Sequence, residues 1–203
     1  MNWHQIIGIL AGVIQIAAMV PYVKDILKGE TRPNVVSWAL WTLIQIIGIW
    51  VLLASPDGYS WSLVLLTATT LNTGLVVILC LFGYGSRQFG KLELVCLVLA
   101  LVAIVLWITS KNAALTLIFD ILADVVAATP TLVKTWKEPY SEAVLPWVMI
   151  CFAAALGALS STIIDVENLA LPIYLALMNG TIAALAFYGQ SRLKLSSAKT
   201  ASH

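Results

Sequence analysis

The sequence predicts an all-α integral membrane protein: seven transmembrane helices in a 3+1+3 plan, two parallel three-helix repeats joined by a linker helix. Three observations predict it. Of the 203 residues, 61% are hydrophobic and only 10% charged, against about 25% charged in a soluble domain. Seven apolar stretches of membrane-spanning length are separated by short polar or turn segments. The chain also resembles itself at an offset of 109 residues. The composition excludes a soluble enzyme and a disordered chain. A net charge of +1 supplies no basic field for a nucleic-acid backbone.

A helix needs about 20 apolar residues to cross the hydrocarbon of a bilayer. The seven predicted spans are Trp3–Leu27, Val35–Ala54, Ser60–Gly83, Leu92–Thr109, Ala113–Trp136, Ala143–Ile163 and Leu169–Tyr188. The intervening loops are too short to hold a soluble domain. The first residues lack the basic stretch of a cleaved signal peptide, so the first span is expected to stay in the protein. Basic side chains set the orientation. Lys24, Lys28, Arg32, Arg87, Lys91, Lys134, Lys137, Arg192, Lys194 and Lys199 gather on one side, and Lys111 alone stands on the other. The basic side is read as cytoplasmic, which puts the N-terminus outside and the C-terminus inside an integral plasma-membrane protein. Trp3, Trp61 and Trp107 fall near outer span ends and Trp136 near an inner one, as in an aromatic belt. Cys80, Cys96 and Cys151 lie within spans, with neither disulfide nor metal spacing, and read as small packing residues. No cofactor or metal is expected.

The repeat divides the chain. Placing Pro21 on Pro130 also places Trp38 on Trp147 and Gly48 on Gly157. Asn72 ahead of Gly83-Tyr84-Gly85-Ser86-Arg87 is echoed by Asn179 ahead of Tyr188-Gly189-Gln190-Ser191-Arg192, with a slip of a few residues. Residues 1–88 form the first repeat, 89–111 the linker helix, 112–192 the second repeat and 193–203 an expected disordered tail. An odd fourth crossing has a physical purpose: three crossings leave the chain on the wrong side, and one more restores the orientation. Transporters built from repeats of this kind place substrate between the halves, near the midplane.

The stretch Pro21-Tyr22-Val23-Lys24-Asp25-Ile26-Leu27-Lys28-Gly29-Glu30-Thr31, followed by Ser37-Trp38, resembles a PQ-loop motif. With the 3+1+3 plan, the chain is similar to SWEET and SemiSWEET sugar transporters and their PQ-loop relatives, which include lysosomal amino-acid exporters. Tyr22 and Thr131 stand where the motif has glutamine. The second-helix proline is present as Pro146 but is Ser37 in the first repeat. The resemblance implies that an asparagine on the third helix of each repeat binds substrate, and Asn72 and Asn179 match those positions. The tryptophan that accompanies it in the family is missing at the usual distance.

Polar side chains at membrane depth are costly and usually face a cavity or a partner. At ~1.5 Å per residue, Asn72 lies about 18 Å into its span, Asp124 about 16 Å and Asn179 about 15 Å. Gln15 is twelve residues into the first span. All four reach the middle of a ~30 Å core, and Asp124 falls on Gln15 under the repeat offset. Four groups at one depth, in two repeat-related pairs, predict one central substrate site, against the plainer reading of an interhelical hydrogen bond for each. Trp41 is a candidate stacking platform. Asp120 and Asp124 share a helix face about 6 Å apart along the axis. Two carboxylates that close in low dielectric do not both ionise easily, which fits a proton or cation site; the alternative is a helix-pinning hydrogen bond. Gln45 reads as packing between helices. Pro21 and Pro130 free carbonyls one turn back and are either static bends or hinges. Gly12, Gly48, Gly74, Gly157 and Gly180 are expected to allow close helix approach.

The function expected from these readings is a small secondary transporter working by alternating access. Its partners are the bilayer, a small polar solute (a sugar, an amino acid or an organic cation) and, through Asp120 and Asp124, protons. No phosphate-binding loop is present, so the driving force is a gradient. The chain is compatible with a homodimer. The alternative is a seven-helix receptor or sorting protein on the same scaffold. A retinal protein is excluded because the last span holds no lysine, and intramembrane proteolysis is disfavoured because both acids share one helix.

Overall fold

In the computed structural model, which describes residues 2–54, 61–86, 89–110, 113–162 and 164–200, the described residues form seven helices and no strand. Helix α1 spans Trp3–Leu27. Asn2 Oδ1 accepts the Gln5 N–H at 2.9 Å and Gln5 Oε1 accepts the Asn2 N–H at 3.0 Å, a reciprocal cap for two otherwise orphaned donors. The helix is interrupted at Ala18 between Trp3–Ala17 and Met19–Leu27. Pro21 supplies no N–H to close the preceding turn, and the interruption falls there. Helix α2, Val35–Ala54, starts at buried Asn34, whose Oδ1 accepts the N–H groups of Val36 and Ser37 at 3.0 and 3.3 Å. Helix α3, Trp61–Leu79, runs into a wide turn, Cys80–Tyr84, that ends through Gly83 at φ 98°, a conformation glycine adopts without a Cβ clash.

Helix α4 covers Lys91–Thr109; the Glu93 carboxylate accepts the Gly90 N–H at 2.8 Å ahead of its first turn. Helix α5, Ala113–Lys137, carries Pro130 without a break, so the two repeat-related prolines act differently on their helices. A single 3-10 turn, Pro139–Ser141, leads to α6, Val144–Ser160, and α7 spans Val166–Thr200. The tail expected to be disordered from 193 is therefore helical as far as Thr200; residues 201–203 lie outside the described residues.

Three helices, Trp3–Leu27, Lys91–Thr109 and Asn168–Ser196, are long and apolar enough to cross a membrane, with mean hydropathies of 2.2, 2.8 and 1.7. Val35–Trp50, Thr69–Tyr84 and Val144–Ser160 are shorter apolar helices. Large apolar side chains such as Val20, Leu71, Leu81 and Phe82 are exposed, an unpartnered surface suited to lipid. The chain has the character of a membrane protein.

Helix α1 packs on α6, α2 on α5, α3 on α2, α7 on both α5 and α6, and α4 on α5 and α2. Ala100, Ala103, Ala123 and Ala127 pack with Val36, Leu40, Ile44 and Ile104 where α2, α4 and α5 meet; small residues let backbones approach where no hydrophobic drive exists. The other core joins Met19, Tyr22, Ile26, Trp38, Val76, Trp147 and Ile182. The glycine expectation holds at Gly180, whose added Cβ would stand 3.2 Å from Cys151 Sγ. It fails at Gly157, which has open space around it, and Gly12 and Gly48 line the central cavity. Those glycines make room rather than close a seam. Cys80 and Cys96 are buried and Cys151 is half-buried, all free thiols.

Candidate functional site

A cavity of about 660 Å³ lies within the bundle, and every helix contributes to its wall: Gln15 on α1, Trp41 on α2, Asn72 on α3, Trp107 on α4, Asp124 on α5, Trp147 on α6 and Asn179 on α7. All six polar and aromatic residues expected at a central site (Gln15, Trp41, Asn72, Asp120, Asp124 and Asn179) line it together. Common depth becomes common location because each of these side chains faces inward.

Their bonding differs. Tyr174 on α7 donates to Asp124 Oδ2 at 2.7 Å, and the Trp41 side chain lies within interaction range of the same carboxyl. Asn179 spends one amide N–H on the Leu175 carbonyl of its own helix, at 2.7 Å. Gln45 Oε1 accepts the Thr73 hydroxyl at 3.0 Å, tying α2 to α3 as the packing reading expects, although both side chains also border the cavity. Among the described residues, Gln15, Asn72 and Asp120 have no protein hydrogen-bond partner and so present free polar groups. Among the described residues, no Lys, Arg or His lines the cavity, and no group of His, Cys, Asp and Glu could hold a metal ion. Trp107, expected in an outer aromatic belt, instead borders the cavity. Trp3 and Trp136 are exposed as a belt requires; the side chain of Trp61 lies outside the described residues, as do Arg87 and Lys111.

Aromatic rings cluster at one end of the cavity. Tyr22 stacks on Trp38 with centroids 5.0 Å apart and meets Trp147 edge-on at 5.8 Å. The repeat-related Trp38 and Trp147 stand 6.1 Å apart, and Trp41 packs edge-on against Trp38 at 5.4 Å. The Trp38 indole N–H is buried without a partner. Behind this layer lies a buried ion pair that a linear reading of charge misses. Lys134, counted with the basic residues of the cytoplasmic side, is 3% exposed at its side chain and stands 2.6 Å from Glu142, which is fully buried. Glu142 Oε2 also accepts the Tyr22 hydroxyl at 2.9 Å and the Trp147 N–H at 3.0 Å. Lys134 donates to the carbonyl of Arg32, in the loop after α1, and the Arg32 N–H donates to the Ser141 carbonyl at 2.9 Å. Gln190 on α7 donates to the carbonyls of Pro139 and Glu142, both at 2.9 Å. The knot therefore ties α1, α5, α6 and α7 together at one end. The signal for it in the sequence is slight: Glu142 stands just before an apolar stretch, eight residues after a lysine at the end of another. At the other end the cavity reaches Gly8, Ser160 and Leu171, near the start of α1, the end of α6 and the start of α7.

No protein-family model, curated protein or solved structure matches the chain.

Proposed function

We propose that the chain is a small secondary transporter that moves a small polar solute across the plasma membrane by alternating access. One observation carries this reading: a single cavity, walled by all seven helices, is lined by both repeat-related pairs, Asn72 with Asn179 and Gln15 with Asp124. The 3+1+3 reading is supported by the packing. The contact of α1 with α6 has its repeat mate in the contact of α2 with α5, and α3 on α2 has its mate in α7 on α6. A two-fold axis along the membrane normal relates such pairs. Helix α4 is then the connector, and the resemblance to PQ-loop and SWEET proteins supplies the same plan.

In this reading, Asn72, Asn179, Gln15 and Trp41 contact solute, and Asp120 and Asp124 couple protons. Protonating the pair removes charge that makes a carrier slow to reorient through low dielectric. The aromatic layer with the Lys134–Glu142 pair is the closed gate on the cytoplasmic, basic side, while the cavity reaches toward the opposite side. The interruption of α1 at Ala18, one turn before Pro21, marks the hinge on which the gate half of α1 swings; Pro130 sits in a continuous helix and bends less.

The test is flux in proteoliposomes, read as charge movement on a supported membrane across sugars, amino acids and organic cations, with and without a pH gradient. The wild type is expected to give a transport current for at least one class, and Asp124→Asn to abolish its proton dependence while keeping its elution profile. Saturable binding without flux for every class would leave a receptor, and proton-driven flux unchanged in Asp124→Asn would remove the coupling role.

A further inference from the structure

Among the described residues, the cavity wall carries two carboxylates, Asp120 and Asp124, and no basic side chain. The titratable groups facing this pair are few. Tyr174 on α7 bonds Asp124, while α2 and α4 present Trp41, Gln45 and Trp107. The two lysines of the last turn of α5, Lys134 and Lys137, lie at its far end, and Lys134 is committed to Glu142. Nothing in the described wall compensates the acidic pair, so its natural counter-charge is a ligand or a proton.

The wall also limits what that ligand is. Most of its polar groups are already occupied: Thr73 with Gln45, Ser160 with the Gly157 carbonyl at 2.7 Å, Asn179 in part with Leu175, and Asp124 with Tyr174. Among the described wall residues Gln15, Asn72, Asp120 and the Trp38 indole N–H remain free, too few to satisfy the ring of hydroxyls that a sugar brings into a dry site. A zwitterionic amino acid would bring a carboxylate with no cation to meet it. The remaining surface is apolar and aromatic, with Trp41, Trp107 and Trp147 around it. Indole rings attract cations through their quadrupoles, best when the cation is desolvated.

We propose that the cavity binds a small organic monocation with an apolar body and no carboxylate, its charge between Asp120 and Asp124 and its body against the tryptophans. The proposal names the substrate class of the carrier site and rests on that reading. A monocation balances one of the two negative charges, so it and protons compete for the pair, and protonating both carboxylates removes the charge that holds the cation. One site thus suffices for exchange of an organic cation against protons, with no second coupling site.

The experiment is binding to the purified full chain in detergent, by tryptophan fluorescence and calorimetry at two pH values. The probes are benzyltrimethylammonium and choline, with 3,3-dimethylbutanol as the neutral isostere of choline and glucose and glycine as the competing classes. Saturable binding of the two cations, at least tenfold tighter than the neutral isostere and weakened at the lower pH, is expected. Asp120→Asn, which breaks no protein hydrogen bond, is expected to weaken cation binding at least tenfold while leaving the unfolding temperature within about 2 °C. Equal binding of 3,3-dimethylbutanol, preference for glucose or glycine, or unchanged affinity in Asp120→Asn overturns the proposal. The carrier reading fails separately: cation binding without flux removes transport and keeps the cation site, whereas glucose flux without cation binding does the reverse.

Discussion

Replacing Glu142 by Gln tests whether the buried knot holds the proposed gate shut. The carboxylate accepts from Lys134 at 2.6 Å, Tyr22 at 2.9 Å and Trp147 at 3.0 Å. Glutamine keeps the shape and one acceptor oxygen. It removes the counter-charge of a lysine whose side chain is 3% exposed and aims an amide N–H group at other donors. Removing one partner of a buried ion pair costs about 3–5 kcal/mol, because the survivor is left desolvated and unpaired. At roughly 2–4 °C per kcal/mol for a chain this size, the unfolding midpoint in detergent is expected to fall by on the order of 10 °C. Replacing Lys134 as well, as Lys134→Met with Glu142→Gln, deletes the orphaned charge and is expected to restore more than half of the loss, a coupling that only a double-mutant cycle exposes. The proposed gate has its own readout. Cys80 is buried in the same aromatic cluster and its thiol faces the Pro33 carbonyl at 3.8 Å. In a Cys96→Ala, Cys151→Ala background, Cys80 is expected to resist a membrane-impermeant maleimide, and Glu142→Gln to expose it from the basic side at temperatures below unfolding. A midpoint within 2 °C of wild type, a double variant no better than the single one, or unchanged labelling of Cys80 would refute the reasoning.

Four further outcomes are expected. Asn179→Ala should weaken binding of whichever solute the flux assay identifies by about tenfold, the scale of one lost hydrogen bond to a charged or polar ligand, and unchanged affinity counts against the central site. Gly189→Ala should destabilise by about 1–3 kcal/mol, since the new Cβ would stand 2.2 Å from Pro139 Cγ; thermal unfolding reads it. Asn34→Ala should lower stability by about 0.5–2 kcal/mol by removing the acceptor that starts α2, and Asn34→Asp should keep most of it. Lys28→Cys in a cysteine-free background should label from the cytoplasmic side in sealed vesicles, and labelling from outside would reverse the orientation.

Much of the architecture was legible because a membrane turns chain length into depth. A fixed rise per residue and a fixed hydrocarbon thickness place helix bounds and midplane residues from counting alone. The expected spans Trp3–Leu27 and Val35–Ala54 coincide with the helices found, and Gln15, Asn72, Asp124 and Asn179, placed at one depth by arithmetic, line one cavity. Depth leaves rotation about each helix axis open, and contacts between helices fix that rotation. Tertiary packing alone turned Trp107 toward the cavity rather than the lipid and left open space beside Gly157. It also joined Tyr22 to Glu142 across 120 residues and buried Lys134, a residue whose charge and position at a helix end read as solvent-facing. A hydropathy pattern registers each residue's own cost of burial, and that cost is offset at Lys134 by a partner whose proximity exists only once α1, α5 and α6 have packed.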